Sequence, residues 1–544
     1  MSTTASPTGA PPQAPPLSPA LDAAAAAAAA RRKMGESPTP RIVRQPVEMV
    51  VKIASYLSLN DICALRLTCK AMDGLLVDSF VRRFFRAKRF WLHDDSLQAL
   101  VDMSAHPAIS RQLEHVALGT DHISRPLHRS YLGEAENLTS SHLQQLHHCL
   151  NSQFHMQWTG ADVAMLAKAF ANLPNLQTVS IRDVDKSSSA QLRRDAGTLW
   201  EDLEYFTSYG TRAVRRATCH DTTTDKAEEE YRGRDANATA KSHITERQFI
   251  KALAALAQAG ARPAAIEAVI HNQKWCLSDK SVYVDPTLQA GLEPVFSGLT
   301  KLHLDLALGK NVPYSAVQWG SGYHAVNFSP CLQKFMSLVP ALTWLRLGLA
   351  GSVFAATQQL FWWLAGEAGS VYSDSSRFPP PVRFARLEHL EIAKATVSCH
   401  IVKKVLARHS DVLRRLNLRC VAFVLTALDD KYEDGVWTHF VRFLADKTDL
   451  RSFRVSDAWV ETGSHKMPTP VNLTTRNLQN ARSRGEMMLF LDGLARLMDT
   501  SRNQTMVEDP GDGESFADDY DDDDEVDEEN GLEPDYGEDS GGEQ

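Results

Sequence analysis

Seven times between residues 113 and 455 an apolar triplet spaced i, i+3, i+5 follows a short turn. The triplets are Leu113-Val116-Leu118, Leu176-Val179-Ile181, Leu299-Leu302-Leu304, Leu342-Leu345-Leu347, Leu387-Leu390-Ile392, Leu413-Leu416-Leu418 and Leu450-Phe453-Val455. Helical stripes precede several of them: Leu97, Leu100 and Val101; Val163, Leu166, Ala167 and Phe170; Leu332, Phe335 and Leu338; Ile401, Val402, Val405 and Leu406; Trp437, Phe440, Val441 and Leu444. A strand with period-2 apolar residues and a helix with one apolar stripe cannot both be buried inside a single unit. Neighbouring units must bury them, each enclosed Leu contributing roughly 1.5–3 kcal/mol before entropy is subtracted. The pattern therefore predicts a curved, irregular α/β solenoid.

The repeat is interrupted, because successive first leucines lie between 26 and 123 residues apart and insertions must leave the stack. Thr211 to Thr245 is polar and charged and reads as a surface loop or disordered excursion. Gly369 to Pro381, ending in Phe378-Pro379-Pro380-Pro381, reads as a second insertion, and Phe249 to His271 reads as helical. Beyond the last triplet, Met487, Phe490, Leu491, Leu494 and Met498 fall on one helical stripe suited to closing the end of a stack.

Composition divides the 544 residues into a packed body and two unpacked ends. Residues 1–40 are rich in Ala, Pro, Ser and Thr, and read as a disordered leader. The segment 508–544 holds 19 acidic residues and no Lys or Arg, so the net charge of −9 hides a body of +10. That modest excess does not by itself require nucleic acid. The eight cysteines lack CxxC spacing, which fits a reducing compartment, and the leader lacks the order of a signal peptide. A cytoplasmic or nuclear protein without membrane attachment is expected.

A different pattern occupies residues 41–90. Val50, Ile53, Ala54 and Leu57 form one helical stripe behind Pro46. Ser58 and Asp61 make a capping pair for a second helix carrying Ile62 and Leu65, and Met72, Leu75, Leu76 and Phe80 mark a third. Such a small module exposes much of its surface, and its surplus apolar positions predict completion by a partner.

In order and spacing, Gln45-Pro46-Val47-Glu48, Ile53, Leu57, Asp61, Leu65, Leu67 and Cys69-Lys70-Ala71-Met72 resemble the F-box family. That family's pattern opens Leu-Pro-x-Glu and closes near Cys-Lys/Arg-x-Trp. With the triplets behind it, the chain is similar to F-box proteins with degenerate leucine-rich repeats, a type common in fungi. The resemblance implies a three-helix F-box at 41–90 and a leucine-rich-repeat-like substrate-binding solenoid at 91–500, while composition makes 501–544 a disordered acidic tail. It implies that Pro46, Val47, Glu48, Val50, Ile53, Leu57, Asp61, Leu65, Leu67, Cys69, Lys70 and Met72 bind a Skp-type adaptor, and through it cullin and RING subunits of an SCF-type ubiquitin ligase. Gln45 in place of Leu and Met72 in place of Trp imply weaker adaptor affinity. The Asn or Cys that such repeats place after each Leu-x-Leu is replaced by Asp121, Val184, Ala307, Ala350, Ala395, Val421 and Ala458. The alternative reading is a ubiquitin-independent scaffold whose acidic tail binds a basic nuclear partner.

The chain carries no dinucleotide, phosphate-loop, zincin or serine-hydrolase motif, so a non-catalytic adaptor without cofactor or metal is expected. His147, His148, Cys149, Cys219, His220, Cys399 and His400 match no zinc-finger spacing. The alternation of Arg82, Arg83, Arg86, Lys88 and Arg89 with Phe84, Phe85, Phe90 and Trp91 reads as a helical joint whose charges form a solvated face.

Overall fold

The computed structural model describes residues 41–120, 140–183, 238–270, 275–309, 330–367, 378–424, 435–462 and 465–468, with short pieces between 485 and 495. After a 3-10 turn (Arg41–Arg44) come three helices: α1 (Val47–Ala54), α2 (Leu59–Leu67) and α3 (Lys70–Phe84). Pro46, with φ −51° and ψ 141°, sets the entrance to α1. Ser58 caps α2 by accepting the Asp61 N–H at 3.3 Å, while its hydroxyl donates to the Asp61 carboxylate at 2.7 Å. Extended backbone at Cys69 separates α2 from α3. Val50, Ala54, Met72 and Leu76 close a small core of their own, with Leu65 and Cys69 partly buried against it.

The body alternates helices and strands: β1 (Ala87–Phe90), α4 (Asp94–Ala105), α5 (Pro107–Ser110), β2 (His115–Gly119), α6 (Ser140–Thr159), α7 (Ala161–Ala171) and β3 (Thr178–Arg182). It continues through α8 (Ala238–Ala259), β4 (Ala265–Val269), β5 (Leu277–Ser278), α9 (Pro286–Ser297), β6 (Lys301–Ala307), α10 (Cys331–Ser337) and β7 (Trp344–Gly348). The last elements are α11 (Phe354–Ala365), β8 (His389–Ser398), α12 (Cys399–Arg408), β9 (Arg415–Val424), α13 (Val436–Lys447), β10 (Ser452–Thr462) and β11 (His465–Pro468). Strands β1, β2, β3, β4, β6, β7, β8, β9 and β10 lie side by side in chain order, each parallel to the next. β11 folds back antiparallel on β10, and the two-residue β5 pairs with the end of β6. Parallel neighbours need a crossover, and the intervening helices supply it.

Register turns the triplets into continuous ladders. Val116, Val179, Ile266, Leu302, Leu345, Leu390, Leu416 and Phe453 are successive partners, and so are Leu118, Ile181, Ala268, Leu304, Leu347, Ile392, Leu418 and Val455. All are buried in one core with helical residues such as Leu100, Phe170, Phe249, Phe335, Leu406 and Phe440. Period-2 alternation sends the intervening residues to the opposite face.

Several expectations change. The segment Phe249 to His271 is not all helix: α8 stops at Ala259, Gly260 takes φ 64°, and Ala265–Val269 enters the sheet as β4. Glycine is suited to that left-handed exit because it lacks a Cβ. The polar stretch 211–245 ends in helix, since α8 begins at Ala238 and Thr245 is fully enclosed; residues 211–237 lie outside the described residues. The basic and aromatic stretch is not one helical joint with solvated charges. Ala87–Phe90 is a strand, and buried Arg89 donates to the Arg182 carbonyl at 3.1 Å. Ala395, Val421 and Ala458 do not form turns but continue three lengthened strands, where Lys394 and Cys420 adopt φ 51° and 52° at matching positions. The described residues between 485 and 495 are helical, and Leu491, Leu494 and Ala495 join the main core. Met487, Met498, the leader and the acidic tail lie outside the described residues, as do Asp121, Val184, Cys219 and His220.

Candidate functional site

Helix α1 is apolar on two sides. Val50 and Ala54 are buried, whereas Met49, Ile53 and Tyr56 are 54%, 43% and 78% exposed. Residues 49 and 53 fall at i and i+4 and share the outward side of α1, and Tyr56 follows in the turn just past its end. Leu67, at the end of α2, is 86% exposed. These residues leave an apolar surface that the module does not cover by itself.

The scaffold beneath is fixed by charge-assisted contacts. Arg83 on α3 donates to the carbonyls of Ala54, Ser55 and Leu57 at 3.4, 3.2 and 3.4 Å, satisfying the free end of α1. Arg66 pairs with Asp73 at 2.8 Å and lies 4.0 Å from the centre of the Phe80 ring. Phe80 in turn meets Phe84 and Phe85 at centroid separations of 5.2 and 5.7 Å.

The residues expected at the surface divide accordingly. Pro46, Val47, Glu48, Ile53, Asp61, Leu67 and Lys70 are exposed, and Leu57, Leu65 and Cys69 are half-buried. Val50 and Met72 are internal at 1% exposure, so they support the module from inside and do not meet a partner directly. The single stripe Val50, Ile53, Ala54 and Leu57 is thus split between interior and surface. Met49 and Tyr56 complete the outward patch without having been singled out, although their spacing from Ile53 was visible.

A second surface is the polar face of the sheet. Glu267 on β4 accepts from Arg182 on β3 at 2.7 Å and pairs with Lys301 on β6 at 2.8 Å; Arg346 on β7 stands 3.7 Å from Asp305 and 3.4 Å from Glu391. Burial pushes Glu267 up, but Arg182, His303 and Lys301 more than offset this and hold it well below the usual carboxylate range. His115 Nε2 lies 2.8 Å from the Ser180 hydroxyl, and burial lowers this ring to about 3. Farther along, Lys301 sits 4.1 Å from the centre of Trp344, which stacks on His389 at 4.5 Å.

Among the described residues, His93, Asp94 and Asp95 cluster at metal-ligand spacing. They open α4, where the partial positive charge of the helix end disfavours a cation and favours the two carboxylates. Cys149 and Cys399 are buried on α6 and α12.

Residues 45–87 match the F-box-like family model. No curated protein matches the chain. The chain therefore carries an F-box-like domain, built from α1, α2 and α3 and ending where β1 begins.

Proposed function

We propose that the protein is a substrate-recruiting subunit of an SCF-type ubiquitin ligase. Its F-box-like domain binds a Skp-type adaptor, and its sheet domain, a leucine-rich-repeat-like solenoid, holds a protein client. The observation that carries this reading is the outward stripe of Met49, Ile53 and Tyr56 on a domain matched as F-box-like. Chain-order parallel strands, apolar toward the helices and polar on the other face, favour the solenoid reading. The mechanism is proximity: the adaptor tethers the chain to the ligase and the chain tethers the client near the ubiquitin donor, so no catalytic side chain is needed from this subunit.

Co-purification of the full chain with a Skp-type adaptor and cullin tests the proposal. Ile53→Asp with Tyr56→Asp places two charges on an exposed apolar patch and should abolish capture while leaving the fold intact. Capture that survives this change refutes the assigned surface. Adaptor capture without cullin would instead favour a scaffold independent of ubiquitin transfer.

A further inference from the structure

The charges on the polar face are distributed unevenly. Toward β3–β7 the cations have carboxylate partners: Arg182 and Lys301 share Glu267, and Arg346 lies between Asp305 and Glu391. Toward β9 and β10 the balance ends. Arg415 and Arg454 are exposed, and their side chains make no ion pair or hydrogen bond among the described residues. Register places Arg415 opposite Ser452 and Asn417 opposite Arg454, so the two arginines sit diagonally on the same face of adjacent strands. The register is in keeping with His389, opposite Arg415, being lowered first by burial and then by Arg415, Arg454 and Lys301.

The sequence supplies a counterpart. Residues 518–529 contain ten carboxylates in twelve positions, within a terminal stretch that lacks Lys and Arg. This segment is on the same chain as the patch, and the described residues that precede it are anchored in the common core. Leu491, Leu494 and Ala495 belong to the one core that runs from Phe90 of β1 to Val455 of β10. From residue 495 the chain needs 23 residues to reach residue 518, a reach of up to roughly 75 Å when extended. Tethering of this kind replaces a bimolecular encounter with an effective concentration of the order of millimolar. In an extended strand, carboxylates on alternate residues repeat at roughly 7 Å on one side, a spacing suited to two diagonal guanidinium groups.

We propose that the acidic segment 518–529 docks in cis on the basic end of the polar sheet face, at Arg415 and Arg454. Each exposed pair is weak and screened by salt, so the docking is exchangeable. An incoming acidic partner has to displace the tail, whereas a basic one is drawn to it. The assignment is independent of the adaptor-binding reading.

The test uses the full chain with a photo-crosslinking p-benzoylphenylalanine in place of Tyr520, and mass spectrometry of the crosslinked peptides. At low salt, crosslinks are expected within β9 and β10, with a yield independent of protein concentration. Arg415→Glu with Arg454→Glu should lower that yield about tenfold, and raising the salt to about 0.5 M should do the same. The pair Arg415→Gln with Arg454→Gln removes charge without reversal and should also reduce it, which keeps the test valid if the Glu variant misfolds. A yield unchanged in the Gln pair, crosslinks confined to another surface, or crosslinks between copies that vanish on dilution would each overturn the proposal.

Discussion

Arg182 on β3 and Glu267 on β4, 85 residues apart in sequence, meet at 2.7 Å inside the sheet's polar face. Glu267 is 2% exposed and also neutralises Lys301. Glu267→Gln removes the carboxylate that Arg182 and Lys301 share, where water cannot fully compensate. Breaking a buried pair from one side costs roughly 3–5 kcal/mol. Urea unfolding should register a loss of that size; a change below about 1 kcal/mol would show that the cluster is solvated after all.

Acid sensitivity follows from the buried histidines of the same face, of which His115 is one. His115 is lowered by burial from the ordinary 6.5 to about 3, so between these values the unfolded chain takes a proton that the folded chain refuses. Stability from this ring is complete above pH 6.5 and falls on acidification, by about 1.4 kcal/mol per pH unit within the window. Glu267 adds a further loss only below the ordinary carboxylate value of 4.5, because its folded-state value is depressed. His115→Gln keeps a polar partner for Ser180 but does not titrate. Its stability should fall less steeply between pH 6.5 and 4; an unchanged slope would exclude His115 as the source.

Gly348 closes β7 where the Asp305 carboxylate fills the space a Cβ would need. Asp305 Oδ2 accepts the Ile270 N–H at 2.7 Å, so the carboxylate cannot withdraw without leaving a buried donor unpaired. Gly348→Ala should destabilise by about 1–3 kcal/mol. In the Asp305→Ala background the same change should cost much less, since the obstructing side chain is gone. Additive losses in this double-mutant cycle would contradict the steric account.

The apolar triplets were legible because Leu, Val, Ile and Phe recur at one spacing, and the strands fall where the triplets lie. β4 escaped because buried Pro263 and Ala268 occupy positions where other units carry leucine. β1 escaped because its alternation is basic and aromatic, and only tertiary contact shows that Arg89 turns inward. The cap at Ser58 was visible as a local spacing. The inward and outward sides of α1 were not, since both are apolar and periodicity merges them into one broad stripe. The polar face was the least accessible, because its partners are set by strand register across long insertions.

Met72 and Ile53 separate support from contact within the F-box-like domain. Met72 is 1% exposed in the small core with Val50, Ala54 and Leu76, whereas Ile53 is 43% exposed. Met72→Ala leaves a cavity and should cost about 2–5 kcal/mol of local stability, loosening α1, α2 and α3. Hydrogen exchange should show faster amide exchange across those helices, with adaptor capture weakened as a consequence. Ile53→Asp adds a charge to a surface already in water, so the exchange pattern should stay unchanged while capture is lost. If Ile53→Asp accelerates exchange as much as Met72→Ala does, Ile53 is a core residue and the docking surface must be drawn elsewhere.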